Sequence, residues 1–233
     1  MQLYKCIIVS RELIILMNFL LHFFEAYQII RYKFNIDRKS SIIKCIKSRQ
    51  PRDILEIGVH QGSFAIRMLS QIYPSNLEFT SYTGIDLFSE LQTKENHTNE
   101  ISLWADEKNV VANKLVSKFP KANIHLCQGN SSQMLQSLKG NKYDLIFIDG
   151  GHSFNTVESD WNLCQGLLND NGFLFFDDYT SLKGSLKSGF GIRKVVDGID
   201  KEYWRVKIYN NRDFFKKNWG VLSLRVAKIS KLK

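Results

Sequence analysis

Cysteine and proline are scarce in this sequence, which has 233 residues, four cysteines and three prolines. The cysteines form no closely spaced pair, and this excludes a CxxC metal or redox motif. They are Cys6, Cys45, Cys127 and Cys164. Widely separated cysteines are typical of reduced thiols in a cytosolic protein, so we expect a cytoplasmic location. Internal repeats and low-complexity tracts, which would indicate a solenoid or a disordered chain, are also missing.

Long apolar runs are absent too, although the N-terminal segment is rich in apolar residues. Its longest run, residues 13–24, has about a dozen residues, whereas a membrane-spanning helix needs about 20. No small-residue cleavage site follows, which disfavours a signal peptide. Residues 1–39 are predicted to form an apolar and basic helical extension, and two interpretations of it stay open. It packs on the domain or on the partner subunit of a homo-oligomer, or it lies on a membrane surface with basic residues at the lipid head groups. Those residues are Arg31, Lys33, Arg38 and Lys39.

Acidic residues are fewer than basic ones, 23 against 32, which gives a formal net charge of +9. The basic residues are spread along predicted helices and concentrate only at the C-terminus, at Lys228, Lys231 and Lys233. This distribution is typical of a solvated surface, so no nucleic-acid partner is expected. With 44% hydrophobic residues the chain can build one sizeable core, which we assign to residues 40–233.

Predicted strands and helices alternate along most of the chain. The first five strands are separated by helical segments, and the last two strands follow each other directly. The seven strands are predicted at residues 53–57, 82–86, 123–127, 143–149, 173–178, 204–209 and 221–226. This order predicts an α/β fold with a doubly wound, mostly parallel seven-stranded sheet and a C-terminal antiparallel hairpin. A helix is expected up to residues 170–172, and a loop at residues 181–189.

Two glycines, Gly58 and Gly62, lie in the turn between the first predicted strand and the first helix. A dinucleotide-binding fingerprint needs three glycines in the pattern G-x-G-x-x-G, so a nicotinamide-dependent oxidoreductase is disfavoured. Ligands of open parallel sheets bind outside the carboxyl ends of the strands. This turn is therefore the first predicted ligand site.

Acidic residues end three other predicted strands, at Asp86, at Asp149 and at the pair Asp177 and Asp178, and Glu56 precedes the glycine turn. Unpaired carboxylates are costly to bury, so acids that converge on one sheet edge imply a cation, a hydroxyl-rich ligand or water there. For Asp86, a helix N-cap is the alternative.

The pattern Glu56-x-Gly58-x-x-x-Gly62, followed by Asp86, resembles motif I and the acidic ribose-binding position of class I S-adenosylmethionine-dependent methyltransferases. The resemblance covers residues 49–226 and implies S-adenosylmethionine as the cofactor. It implies that Glu56, Gly58 and Gly62 shape the methionine pocket and that Asp86 binds the ribose, since one carboxylate can accept two hydrogen bonds from a diol. Gly129, Asn130 and Ser131 would lie beside the adenine, and many members have Asp in place of Asn130. His60 and Asp149 complete the implied cofactor-binding set.

The segment 147–153, FIDGGHS, and the segment 176–179, FDDY, resemble catechol-type, macrocin-type and other sugar O-methyltransferases. In that branch, acids after the fourth and fifth strands bind a divalent metal, which implies Asp149, Asp177 and Asp178 as ligands of Mg²⁺. Hard oxygen ligands suit Mg²⁺, and a metal lowers the pKa of a coordinated hydroxyl. The alternative is a metal-free site in which Asp149 only orients the substrate.

His152 is the candidate general base, because a histidine titrates near neutral pH, and Asp149 is the second candidate catalytic residue. Catechol-type members carry Lys at the corresponding place and macrocin-type members carry an Asp near it, where this chain has Gly151. The alternative for His152 is a loop histidine that caps the next helix. The sequence thus predicts methyl transfer to a hydroxyl of a small molecule or sugar, with a divalent metal as an optional assistant. The competing hypothesis is a non-catalytic binding or membrane-surface module on the same fold.

Overall fold

A computed structural model of the protein describes residues 37–89 and 105–232. The predicted N-terminal extension lies outside the described residues except for its last three positions. Among the residues described, no helix has the length and the apolar character that crossing a bilayer requires.

One mixed sheet of eight strands organises the part of the chain that the structure describes. The strands are β1 (Asp53–Ile57), β2 (Ser81–Asp86), β3 (Asn123–Gln128), β4 (Tyr143–Ile148), β5 (Leu168–Thr180), β6 (Trp204–Ile208), β7 (Asp213–Lys217) and β8 (Gly220–Lys231). The helices are α1 (Ser40–Arg49), α2 (Ser63–Leu69), α3 (Lys108–Lys118), α4 (Ser131–Ser137), α5 (Phe154–Leu167), α6 (Leu182–Ser188) and α7 (Ile192–Asp197), with a short 3-10 helix at Leu77–Phe79.

The strand order is β3-β2-β1-β4-β5-β8-β6, with β7 paired to β8. Strands β1 to β5 pair in parallel. Strand β8 runs antiparallel to β5, β6 and β7. The predicted α/β fold, a doubly wound and mostly parallel sheet with antiparallel C-terminal strands, is therefore confirmed.

The prediction of seven strands is wrong by one, because β7 was not expected. Its sequence, DFFKK, is buried at Asp213 and largely exposed beyond it. An exposed edge strand lacks the apolar alternation that identifies a half-buried strand in a sequence. The last predicted strand, residues 221–226, is the first half of the much longer β8, which pairs with β6 and β7 along its two halves.

Two local predictions beside β5 are also corrected. Helix α5 ends at Leu167 rather than at residues 170–172, because β5 begins directly at Leu168. The segment predicted as a loop at residues 181–189 contains α6, whose N-terminus is capped by Ser181 accepting from the Gly184 N–H at 3.0 Å. Serine and glycine are poor helix formers in isolation, so the sequence signal for this helix was weak.

Apolar side chains cover both faces of the sheet. Because successive strand residues point to opposite faces, Leu145 and Phe147 of β4 join one core cluster, and Ile146 and Ile148 join the other. Helices α1, α2 and α3 pack on the first face, and α4, α5 and α7 pack on the second. Burial on both faces explains the nearly continuous apolar sequence of β4.

Gly58 allows the carboxyl ends of β1, β2 and β4 to converge. Its φ is +91°, and a Cβ at this position would overlap the carbonyl group of Asp149. The Gly58 N–H donates to the Ile85 carbonyl at 2.9 Å, and the Asp149 N–H donates to the Ile57 carbonyl at 2.8 Å. A side chain here would therefore strain the backbone and separate the two strand ends.

We predict that Gly58→Ala lowers the free energy of unfolding by about 2–4 kcal/mol, through the left-handed conformation and the steric overlap. The matched control is Gly166→Ala on the exposed face of α5, where an added Cβ meets nothing within 4 Å. Alanine should stabilise that helix by up to about 1 kcal/mol. Urea denaturation measures the free energy of unfolding of each variant. Equal free energies for the two variants would contradict the role given to Gly58.

Candidate functional site

Four of the predicted acids lie at the carboxyl edge of the sheet. Asp86 ends β2, Asp149 follows β4, and Asp177 and Asp178 lie near the end of β5. Three carboxylate oxygens lie within 4.8 Å of one another, one each from Asp149, Asp177 and Asp178. Asp86 is separated from this group by β1, since β1 lies between β2 and β4. The edge therefore has two parts, one around Asp86 and one around the three converging acids.

Asp86 connects the turn after β1 to the turn after β2. Its Oδ2 accepts from the His60 N–H at 2.7 Å, and its Oδ1 accepts from the Phe88 N–H at 2.8 Å. His60 and Phe88 both have positive φ, 53° and 51°, so these hydrogen bonds hold two unusual backbone positions. The N-cap of α3 is Glu107, so Asp86 does not cap that helix. Each carboxylate oxygen can accept a second hydrogen bond, which leaves the predicted ribose contact open.

The other predicted cofactor residues surround the same two turns. Gly62 is the N-cap residue of α2 and has φ +72°. A Cβ there would lie 2.9 Å from Val111 of α3, so this glycine lets the two helices approach. The Gly129 N–H donates to the Asp86 carbonyl at 2.9 Å. Asn130 caps α4, since its side-chain oxygen accepts from the Ser132 N–H at 3.0 Å. This gives Asn130 a structural role, and its contact with adenine stays a prediction, as does that of Ser131 in the first turn of α4.

Glu56 lies below the glycine turn, within β1, and its side chain is buried. The hydroxyl of Tyr82 on β2 donates to Glu56 Oε2. Burial raises the pKa of Glu56 from 4.5 to about 8, against the opposing influence of the Tyr82 hydrogen bond and of the Lys39 ammonium. Glu56 therefore supports the turn from inside the sheet.

Two cations that directly precede α1 occupy the acid cluster. The Arg38 guanidinium donates to Asp177 from Nε at 2.7 Å and from Nη2 at 2.9 Å, and Nη2 also donates to Asp178 at 3.0 Å. The Lys39 ammonium is 2.5 Å from Asp149 Oδ2 and 3.0 Å from Asp177 Oδ2. The interpretation that placed Arg38 and Lys39 at lipid head groups is therefore wrong for these two residues, because their charges are paired inside the domain.

Additional contacts hold the segment that carries these cations. Arg38 Nη1 donates to Asp213 of β7 at 3.1 Å. The preceding residue, Asp37, binds the two terminal nitrogens of Arg67 at 2.6 and 2.8 Å. Residues 37–39 are thus fixed to α2, to β5 and to β7. Removing one partner from a buried ion pair leaves an uncompensated buried charge, which costs about 3–5 kcal/mol.

The protonation of the cluster follows from these pairs. Burial alone would raise the pKa of Asp177, but the charge and hydrogen bonds of Arg38, with the Lys39 ammonium, hold it well below its ordinary range. For Asp149, burial and the charges of Asp177 and Asp178 raise the pKa, while Lys39 opposes them. The pKa of Lys39 is itself raised by the carboxylates despite its burial. Asp177 is therefore firmly ionised, whereas Asp149 loses its proton less readily than an ordinary aspartate.

A backbone irregularity brings Asp177 and Asp178 to the same guanidinium. Adjacent residues of a regular strand point to opposite faces. Here the pairing of β5 with β8 shifts register between Phe176 and Tyr179, and Asp178 has φ +57°. Both side chains consequently reach Arg38.

His152 lies beside the same cluster, in the loop between β4 and α5. Its Nε2 is 2.8 Å from Asp178 Oδ2, and its ring stacks on Phe190 with 4.5 Å between centroids. Burial lowers the pKa of His152, but the hydrogen bond and charge of Asp178 raise it more, so the net shift is upward. Ser153 is the residue that caps α5, by accepting from the Thr156 N–H at 3.3 Å, which removes the capping alternative for His152.

The three acids have the donor type that Mg²⁺ prefers, but their oxygens already have partners. Both oxygens of Asp177, both of Asp178 and Oδ2 of Asp149 are bound by Arg38, Lys39 or His152. A divalent cation does not fit this arrangement unless both cations move.

Sequence reasoning missed several residues of this site, namely Arg38, Lys39, Tyr82 and Phe190. The sequence identifies the pair before α1 as basic, but only the membrane-surface interpretation, one of the two left open, gives these residues a partner. The acids that it binds lie 110 to 140 positions later in the chain, and no local pattern reports a pairing across that distance.

One family model matches more than half of the chain. A family model described as a methyltransferase domain matches residues 55–179. An uncharacterized protein of Acanthamoeba polyphaga mimivirus is 36% identical over 59 residues, which are 25% of this chain and 27% of that protein. The chain thus matches about a quarter of the length of this curated relative.

Solved structures show the same fold at low sequence identity. An O-methyltransferase from Bacillus cereus in complex with SAH is 13% identical, with a TM-score of 0.58 over 81% of this chain and 78% of that one. A candidate rRNA methylase from Clostridium thermocellum is 11% identical, with a TM-score of 0.59 over 84% of this chain and 98% of that one.

We predict that Glu56→Gln stabilises the protein increasingly as the pH rises. In the unfolded chain Glu56 ionises near pH 4.5, whereas in the folded protein it keeps its proton until about pH 8. The cost of burying this group is therefore absent below pH 4.5, grows between the two values and is complete above pH 8. The glutamine variant should gain on the order of a few kcal/mol at pH 8.5 and little at pH 4.5.

Urea denaturation of the ligand-free protein at several pH values measures this difference. The matched control is Glu78→Gln in the exposed 3-10 helix. The difference in unfolding free energy between this variant and the wild type should be the same at every pH. A difference between Glu56→Gln and the wild type that is constant across this range would refute the prediction.

Proposed function

Because the chain belongs to the methyltransferase family, we propose that it transfers the methyl group of S-adenosylmethionine to a hydroxyl oxygen of a small molecule, such as a sugar. The observation that carries the proposal is the pairing of His152 with Asp178. This pair lies at the same sheet edge as the glycine turn and Asp86. A base and a predicted cofactor turn on one edge are the two parts that O-methylation needs.

The cofactor half of the proposal uses the two turns joined by Asp86. The positively charged sulfonium would lie at the Gly58 turn, with the ribose hydroxyls on the Asp86 carboxylate and the adenine near Gly129. The support is geometric: the Gly58 turn approaches the Asp149 carbonyl too closely for any side chain. The missing side chain also lets a ligand approach the backbone of this turn closely.

The acceptor half uses His152 as the base. Since Asp178 binds Nε2, the tautomer with its proton on that nitrogen leaves Nδ1 free to take a proton. The acceptor oxygen attacks the methyl carbon while its proton passes to Nδ1. The bond between sulfur and methyl breaks, and its electron pair stays on sulfur, which gives S-adenosylhomocysteine. Holding both reactants in line supplies much of the rate enhancement.

The proposal includes no metal-dependent step, because Arg38 and Lys39 bind the carboxylates that the resemblance assigned to Mg²⁺. We expect the reaction to take place in the cytoplasm, since Cys45, Cys127 and Cys164 are free thiols. A nucleic-acid acceptor is not part of the proposal, since the basic residues are spread over the sequence.

We predict that S-adenosylhomocysteine binds the wild-type protein and that Asp86→Asn weakens binding by about 10- to 100-fold, because an amide cannot replace a carboxylate that accepts from the ribose and from two backbone N–H groups. Isothermal titration calorimetry measures both affinities. The matched control is Asp170→Asn at the start of β5, where the side chain is 91% exposed and pairs with Lys231. Its affinity should equal that of the wild type. Absence of binding to the wild type at millimolar ligand would contradict the proposed cofactor and would favour a non-catalytic module.

We predict that His152→Asn reduces kcat by about 100-fold or more with an acceptor that the wild type methylates, since general bases contribute roughly 10²–10⁴-fold. Affinity for S-adenosylhomocysteine should stay within about twofold, because the base lies outside the cofactor turns. Release of S-adenosylhomocysteine reports turnover in a screen of hydroxylated acceptors. The control is His125→Asn in β3, an exposed histidine. An unchanged kcat in His152→Asn would show that another group takes the proton.

A further inference from the structure

The acid cluster has the composition of a divalent metal site but is filled by the chain's own cations. Asp149, Asp177 and Asp178 each offer an oxygen within 4.8 Å of the others. Arg38 and Lys39, which precede the first helix of the domain, place one guanidinium and one ammonium among these oxygens.

We propose that Lys39, supported by Arg38, is the resident cation of this site in place of a divalent metal, and that its ammonium group meets the acceptor hydroxyl. The first part depends only on the geometry of the cluster. The second part rests on the proposed function, since it assumes that an acceptor hydroxyl enters beside His152.

The ammonium of Lys39 has the contacts that such a role needs. Its nitrogen is 2.5 Å from Asp149 and 3.0 Å from Asp177. It also lies 4.7 Å from the ring centroid of Phe64 and 5.1 Å from that of Phe147. An ammonium group has three N–H donors, so two carboxylate partners leave one donor for an incoming oxygen.

Part of the cluster is accessible to solvent at Lys39 and Asp149. The side chains of Lys39 and Asp149 are 16% and 19% exposed, whereas that of Asp177 is 1% exposed. A ligand that approaches from solvent can therefore contact Lys39 and Asp149, whereas Asp177 is covered. Arg38 completes the charge balance by binding Asp177, Asp178 and Asp213.

Displacing these cations by a metal would break several buried contacts at once. Arg38 would lose three carboxylate partners, and the neighbouring Asp37 is fixed by Arg67. If the cations stayed, a divalent ion would meet two positive charges at close range, where the repulsion is strong in a partly buried site. A metal is therefore disfavoured whether it displaces the two cations or binds beside them. The carboxylates are neutralised by Arg38 and Lys39 instead.

Titration of the protein with Mn²⁺, followed by electron paramagnetic resonance of the free ion, tests the first part. The wild type should bind no stoichiometric Mn²⁺ at up to millimolar concentration. Lys39→Met removes the ammonium and keeps the length of the side chain, so it should bind Mn²⁺ at least about tenfold more tightly, since three carboxylates then lack one cation. Adding Asp149→Asn should abolish that gain, and Lys44→Met on the exposed face of α1 should behave like the wild type.

Tight binding of one Mn²⁺ by the wild type, lost in Asp149→Asn, would overturn the proposal, as would loss of wild-type turnover after chelation. The wild-type titration decides the question even if Lys39→Met does not fold. Binding of S-adenosylhomocysteine by the wild type is measured separately, so failure of this inference leaves the proposed function intact. If that binding fails, the proposed function fails first.

Contact between Lys39 and the acceptor is tested with an acceptor that the wild type methylates. Lys39→Met should lower kcat/KM for the acceptor by about 10²-fold or more, as for loss of a donor that faces a reacting oxygen. Lys39→Arg, which keeps a cation, should recover part of that loss. The affinity for S-adenosylhomocysteine should remain within about twofold in both variants. Equal kcat/KM in Lys39→Met and Lys39→Arg would overturn this second part.

Discussion

The ion pairs that join Arg38 and Lys39 to Asp149, Asp177 and Asp178 are the interaction on which the rest of the site depends. Each carboxylate would be costly to bury alone, and each cation as well. Together these ion pairs fix the N-terminus of α1 to the ends of β4 and β5. The same contacts determine what can enter the site, because they fill the space between the acids before any ligand arrives.

The parallel sheet explains why these groups meet at one edge. Parallel strands all end on the same side, so the side chains that follow β1, β2, β4 and β5 gather there without any special folding of loops. Strand β1 divides the edge into a turn region around Gly58 and Asp86 and an acidic region around Asp149. A methyl donor in the first region and an acceptor in the second would face each other across this division.

The sequence was sufficient for those parts of the fold whose signals are local. Strand β4 was predicted because it is buried on both faces and therefore almost continuously apolar, and the Gly58 turn because its glycines follow such a strand. Strand β7 was missed because an exposed edge has no comparable pattern. The roles of Arg38 and Lys39 were missed for a different reason: a basic pair before an amphipathic helix has the same local sequence at a lipid surface and in an internal ion pair. Only the pairing across more than 100 residues separates the two.

The irregular backbone at Asp178 limits how many charges one strand end can supply. A regularly pleated β5 would send Asp177 toward one face of the sheet and Asp178 toward the other, and only one of them could reach Arg38. Asp178 has a left-handed backbone conformation, and the pairing of β5 with β8 is shifted beside it. As a result, two carboxylates from one strand end reach the same guanidinium. The charge density of this edge therefore depends on the backbone torsion angle of Asp178 as well as on the presence of two adjacent aspartates. A homologous chain with the same two aspartates in a regular strand would have a different site.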